Sequence, residues 1–429
     1  MKRNKKLNLT LITTILFVIL FYNQYIGINF GIIAIVTWLL FHLNTDKKRK
    51  TKNYWLLSGM VFIGFISQIY YADTYSFFAL FIALSAYGVN GKYENLNIIL
   101  YPFLRFYNSI TFIFRLLHGK WMPSKKANNK VFTKIIALVI IPLIFSIIFL
   151  LVYATGSSTI SDFFKNLSFS FDPSKVILLT LLGGFFFFNF WFTHLPRLFA
   201  TYNQKMTNDF EPHQQKERKQ TVAFLPLDLE RKSGEISLIM LNIFLLIFII
   251  TFNYEQFYQT ATDTTLSDAT HERVQTIIFS IVLAIAVILF YFKSTFNFDH
   301  EATLLKKLTY FWIALNGVLV LSAITKNTEY IYEFGLTHKR IGVYIFLILC
   351  IIGLFFSYLK IKNKKTNIYL INRMTWTFLI AFNICSVINF SWIITKHNLT
   401  VNKGVEIHYL RSLHYNDQLL YNHFKEDLK

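Results

Sequence analysis

Apolar residues fall in runs long enough to cross a bilayer, which takes about 20 residues of helix. The runs predict spans near 7–22, 25–43, 54–72, 74–90, 135–154, 175–199, 236–253, 274–292, 308–325, 339–360 and 370–395, about eleven in all. Residues 98–118 break the pattern, because Arg105, Arg115 and Pro102 interrupt an otherwise apolar stretch. That composition predicts an amphipathic helix lying on the inner membrane surface. After 395 the pattern turns polar, with Val405, Tyr409, Leu410 and Leu413 at helical spacing. Asn416 and Asp417 can cap a second short helix carrying Leu419, Leu420 and Phe424. The expected fold is an all-α polytopic bundle over 1–395 with a short helical tail at 396–429.

Composition agrees with that reading. The 429 residues are 54% hydrophobic and 15% charged, with a mean hydropathy of +0.43. Alternating segments of about 10 residues, the mark of a membrane β-barrel, are absent. The opening MKRNKKLNLTLITTILFVILFY has a basic start and an apolar run but no small-x-small cleavage site. It reads as an uncleaved first span. Cys350 and Cys385 both lie in apolar runs and read as small buried hydrophobes rather than a disulfide or metal pair.

Charge sets the expected direction of threading. With the N-terminus in the cytoplasm, 32 of the 43 Lys and Arg fall on inner segments, while the acids divide 13 outside and 10 inside. Basic loops resist translocation, so this bias orients the chain. It places the C-terminus outside the cytoplasm. It also accounts for the net charge of +20 without nucleic acid.

No phosphate loop, dinucleotide fingerprint, HExxH or GxSxG motif is present. No carboxylate falls near the middle of a span, which argues against ion-coupled transport. Asn189, Asn242, Asn316, Asn383 and Asn389 sit in apolar surroundings and read as hydrogen-bonding links between helices. His194 and Arg197 mark an inner span end. His271, His338, His397, His408, His414 and His423 fall on the outer side without metal-ligand spacing, so no metal or cofactor is expected. Asn398-Leu-Thr matches a glycosylation acceptor, a motif common by chance.

One stretch breaks two rules at once. In EYIYEFGLTHKRIGVYIFLIL (329–349), Gly335 can end a short helix containing Tyr330, Tyr332 and Glu333, and Thr337 can cap the next span. Arg340 then stands at a helix N-terminus, against the dipole, and with Lys339 on the outer side, against the charge bias. A carboxylate partner is the expected compensation. Glu329 and Glu333 share a helix face, and His271, Glu272 and Arg273 enter the preceding span in the same way. The expected site is a shallow outer cavity with paired Glu and Arg, lined by Tyr330 and Tyr332. The alternative is an ion pair that only fixes helix packing.

FGLTHKRIGVYIF resembles the YGLT-x-x-R signature of an uncharacterised family of bacterial polytopic membrane proteins, the domain of unknown function 4153 / 4173 type. HERVQTIIFSIVLAI, FWIALNGVLVLSAITKNTEYI and the tail's EIHYLRSLHYND are also similar to that pattern. Where the family's tail carries an Asp before Tyr-Leu, Glu406 is the nearest acid here. The resemblance implies a many-span inner-membrane protein and supplies no reaction or catalytic residue. It gives weight to Gly335, Leu336, Thr337 and Arg340 as a defined element. Three functions fit. One is a transport-like or sensor protein binding a small-molecule or lipid ligand at the outer mouth. Another is a membrane-embedded enzyme acting on a lipid-linked substrate, with Glu333 or His271 as acid or base. The third is a structural subunit of an envelope complex, with a protein partner docked on 396–429. The bilayer itself is a partner in all three.

Overall fold

The computed structural model describes residues 3–118, 146, 172–216, 226–258, 266–293 and 295–426. The expected span at 135–154 lies outside them apart from Ser146. The helices are, in order, Arg3–Phe21 (α1), Ile28–Asn44 (α2), Lys52–Tyr70 (α3), Thr74–Asn90 (α4), Leu100–Ile110 (α5), Phe112–Leu117 (α6) and Pro173–Trp191 (α7). There follow Arg197–Lys205 (α8), Pro212–Lys216 (α9), Leu227–Tyr258 (α10), Leu266–Tyr291 (α11), Thr303–Phe334 (α12) and His338–Lys362 (α13). Asn367–Val387 (α14), Phe390–Val401 (α15), Ile407–Ser412 (α16) and Asp417–Glu426 (α17) complete them. Among the described residues there is no β-strand, only one isolated bridge between Asp209 and Lys365.

The protein is an integral membrane protein built as an all-α bundle. Among the described residues, six helices are long and apolar enough to cross a membrane: α1, α7, α10, α12, α13 and α14. Shorter apolar helices lie at 28–44, 74–90 and 279–291. Large apolar side chains stay exposed midway along them, among them Phe244, Ile247, Val282 and Phe355. In water such a belt would be an aggregation surface; in a bilayer its solvent is lipid. The two helices of the 98–118 segment have 11 and 6 residues. At 1.5 Å per residue they reach about 17 and 9 Å, well short of a hydrocarbon core of about 30 Å.

Contacts divide the chain into two units, 1–54 with 104–194, and 55–103 with 195–429. In the first, α1 packs against α7 and α2. Trp191 is fully buried there, and its Nε1 donates to Thr13 Oγ1 at 3.2 Å. Thr13 keeps its own hydroxyl satisfied on Leu9 O at 2.7 Å. Gly183 brings the helices close, since an added Cβ would lie 2.9 Å from the Phe17 ring. Lipid gives no hydrophobic drive for helix association, so such small-residue contacts and interhelical hydrogen bonds carry it.

In the second unit α12 packs on α10, α11 and α13, and α14 packs on α13 and α4. Its core runs through Leu238, Leu245, Ile281, Leu319, Leu347 and Leu354. Asn242 links helices as expected, donating to Leu308 O at 3.2 Å. The donor bonds of Asn316 and Asn383 instead turn back onto their own helices, at Trp312 O and Leu379 O. One end of this unit gathers basic loops. Lys365 pairs with Asp209, Arg231 bridges Asp299 and Glu301, and Lys364 lies over the Phe298 ring. The fully buried Lys360 donates to Phe292 O at 2.7 Å, just past the end of α11.

Several span ends differ from the sequence expectation: α7 stops at Trp191 rather than 199, and α10 and α11 begin at Leu227 and Leu266 rather than 236 and 274. α12 continues to Phe334, so Tyr330, Tyr332 and Glu333 belong to it and not to a separate short helix. Its polar last turns are held by Lys326–Glu329 at 3.1 Å and by Thr328 with Tyr344 Oη at 2.6 Å. α14 ends at Val387, before the expected 395, because Asn389 starts a new helix by accepting from Trp392 N. Asn389 is therefore a cap, not a mid-span link.

Candidate functional site

The end of the second unit opposite the basic loops is built around two glycines. Gly335 closes α12 with φ 79° and ψ 178°, a conformation open almost only to glycine. Gly404 faces it, also at positive φ. A Cβ on Gly335 would lie 2.6 Å from Lys403 O, and one on Gly404 2.6 Å from Phe334 O. Between them Asn398, 1% exposed, accepts from Leu336 N at 2.7 Å and donates to Leu336 O at 3.0 Å. One side-chain amide thus pairs with a backbone as a β-partner would. Asn398 is unavailable as a glycosylation acceptor, because its amide is buried and engaged on both sides.

This clasp fastens the tail. Leu410, Leu413 and Leu420 pack with Ile331, Leu336 and Ile394 in one buried cluster. Asn416 donates to Thr395 Oγ1 and Leu410 O, both at 2.7 Å. Tyr409 Oη accepts from His338 N at 3.3 Å, so GLTHKR and EIHYLRS meet directly.

Arg340 finds its compensation here, and it is not a carboxylate. Its Nη1 donates to Phe334 O at 2.9 Å and to Gly335 O, and its guanidinium lies 4.2 Å from the Tyr330 ring centroid. The residue opens α13, but its head caps the carbonyl end of α12. The negative end of one helix dipole offsets the positive start of the next. Thr337 caps α13 by accepting from Arg340 N at 3.4 Å.

The other expected site residues scatter. Glu329 pairs with Lys326. Glu333 and Tyr332 are exposed, and Glu333 forms no ion pair among the described residues. Tyr330 is buried beneath Arg340. His271, Glu272 and Arg273 belong to α11, but their side chains lie outside the described residues. The expected Glu–Arg cavity lined by Tyr330 and Tyr332 is not what the described residues form.

A cavity does exist, on the other face of α13. It encloses about 480 Å³, within the range of small-molecule sites, roughly 300–1,000 Å³. His338, Ile341, Gly342, Ile345 and Leu349 line one wall. At about 100° per residue these five share a narrow arc, and Arg340 stands about 200° round from His338. Phe378, Phe382 and Cys385 of α14 form the facing wall. Polar groups collect at the tail end alone: Asp73 and Tyr71 from the turn before α4, Ser391 from α15, and His414 and Tyr415 from the tail. From His338 to Leu349 the cavity runs about 17 Å down the helix.

The rim is fixed by local chemistry. Asp73 and Ser76 form a capping box on α4, with Ser76 N on Asp73 Oδ1 at 2.8 Å. Tyr415 donates to Tyr71 O, and the two rings meet edge to face at 5.3 Å. Burial, then the nearby Asp73 carboxylate, pushes both phenols above the usual tyrosine range, so both are neutral at pH 7. Gly342 leaves open space where a Cβ would sit. Among the described residues no group of three or more His, Cys, Asp or Glu could hold a metal ion.

The sequence points to the Arg340 flank of the turn, and the cavity lies on the other flank. Charge drew attention to Arg340 and the glutamates, whereas the cavity is made of residues that break no local rule. The readable signals were Gly342 within an apolar helix, on one face with Ile345 and Leu349, and the D-x-x-S cap at 73–76.

No curated protein and no solved structure is significantly similar to the chain. Residues 9–421 match the family described as "Domain of unknown function (DUF4153)", a span that takes in both the 335–340 turn and the tail motif that clasps it. The chain belongs to that family.

Proposed function

We propose that the cavity beneath the tail binds one amphipathic, lipid-like molecule, and that the protein works as a membrane receptor or carrier for it. The observation behind this reading is the polarity gradient along the cavity. Its head is ringed by Asp73, His338, Ser391 and His414, while its depth is lined by Ile345, Leu349, Phe378 and Phe382. A depth of about 17 Å matches half of a hydrocarbon core of about 30 Å, the reach of one leaflet. A polar headgroup would meet the rim and its chain would lie between α13 and α14.

The proposal includes a cytoplasmic N-terminus, an extracytoplasmic tail and residence in a bacterial cytoplasmic membrane. The basic loops gathered at the far end of the second unit support that orientation. The enzyme alternative finds less support, since Glu333 lies off the cavity lining.

Gly342 provides the test. Gly342→Leu fills the open space without meeting a neighbour at its Cβ. In native mass spectrometry from mild detergent, the wild type should retain a lipid-sized adduct and Gly342→Leu should lose it while remaining folded. Equal retention by both, or no adduct on the wild type, would contradict the reading.

A further inference from the structure

The first unit holds a second cavity, of about 400 Å³, with a different character. Cation-capable side chains reach it from three segments: Lys6 of α1, Arg115 and His118 at the end of α6, and His194 beyond α7. No carboxylate lines it, while Tyr107 and Thr111 add hydroxyls. Lys6 forms no ion pair among the described residues, and Arg49 stands near enough to repel it. A low-dielectric wall lined by one sign of charge concentrates the opposite sign.

The Arg115 side chain and the His194 backbone are held in place by a built framework. Arg115 donates to Phe192 O at 2.9 Å, to Asn108 O at 2.7 Å and to Asn189 Oδ1. Its guanidinium lies 5.3 Å from the Phe188 ring centroid. Asn108 pairs with His194 on both sides, donating to His194 O at 2.9 Å and accepting from His194 N at 2.8 Å. Arg105 adds a bond to Asn189 O at 3.1 Å. Two short helices are thereby locked to the end of α7 with a basic hollow between them and α1.

Beside the hollow, Phe106, Ile110, Ile113 and Leu117 are all exposed. They recur at three- and four-residue spacing and give an apolar flank to two helices that are each too short to span. A free anion would have no use for that flank. A molecule with a phosphate head and acyl chains uses both, as amphipathic helices at anionic membrane surfaces do.

We infer that this cavity is a headgroup site for an anionic membrane phospholipid, whose phosphate meets Lys6, Arg115 and His118 and whose chains lie along the apolar flank of α5 and α6. The inference is independent of what fills the cavity beneath the tail.

The test uses the full-length protein in detergent, titrated with phosphatidylglycerol or with phosphatidylcholine of the same chains and followed by native mass spectrometry. The wild type should retain phosphatidylglycerol preferentially. Lys6→Gln should lower that preference about fivefold, the effect of one basic side chain near an anionic lipid, and weaken phosphatidylcholine retention less, because the choline cation already offsets that lipid's phosphate. His118→Gln, at an exposed position, serves as the second variant and should lower the preference in the same direction. Excess inorganic phosphate should not displace the lipid. The inference is overturned by equal retention of the two lipids on the wild type, by an unchanged preference in both variants, or by displacement with inorganic phosphate, which would mark a free-anion site.

Discussion

Replacing Gly335 by alanine should release the tail from the bundle. The backbone there, φ 79° and ψ 178°, costs a residue with a side chain about 1–3 kcal/mol. The new Cβ would also lie 2.6 Å from Lys403 O and 2.9 Å from Gly404 Cα. Both are backbone atoms that cannot rotate away. Relief requires the 403–404 turn to retreat, which breaks the Asn398–Leu336 pair, at about 1 kcal/mol per hydrogen bond. The combined cost is about 3–5 kcal/mol, concentrated on tail docking. Since about 1.4 kcal/mol is a factor of ten, the undocked population should rise roughly 100- to 4,000-fold. Hydrogen exchange read by mass spectrometry on peptides from 396–426 would report it, with α10 peptides as the unaffected reference. Gly342→Ala is the control: its Cβ meets open space, and it should gain up to about 1 kcal/mol of helix stability. Tail exchange in Gly335→Ala equal to that of wild type would refute the clasp.

Arg340→Ala should cost about 1.5 kcal/mol through its lost bonds to Phe334 O and Gly335 O, at the low end for charged donors because the site is half-exposed. Combined with Glu333→Gln, the effects should add within about 0.5 kcal/mol in unfolding measurements, and a larger coupling would restore the ion pair that the structure replaces with carbonyls. Lys360→Ala should cost about 2–4 kcal/mol by opening a void in the core, whereas Lys360→Met, close in volume, should stay within about 1 kcal/mol because lost bonding is offset by relief of a buried charge. Thermal unfolding in detergent separates them, and a methionine variant as unstable as the alanine variant would show that the ammonium itself is required.

Much of the fold was legible because hydrocarbon imposes one strong rule on sequence: apolar runs of helical length. The Gly335 stop and the Thr337 cap were readable too, since each rests on local backbone chemistry. Arg340 stands out in the sequence as anomalous, but its carbonyl partners do not. Side-chain charge is visible in a sequence, while the carbonyl end of another helix is not. The role of Asn398 was hidden for the same reason, as its partner Leu336 lies 62 residues away. The cavity was hidden because a void arises from what several ordinary residues leave unfilled. Gly342 marks a face of α13 in the sequence, but Phe378 becomes informative only once α13 and α14 stand side by side.

A photoactivatable residue on α13 tests the lipid-like cavity most directly. Leu349 lines the cavity, whereas its neighbour Ile348 is 53% exposed and faces outward. A crosslinker at 349 should capture one predominant amphipathic species that survives repeated detergent exchange, and the same group at 348 should capture bulk phospholipid that washes away. Identical products at the two positions, or no product at 349, would contradict it.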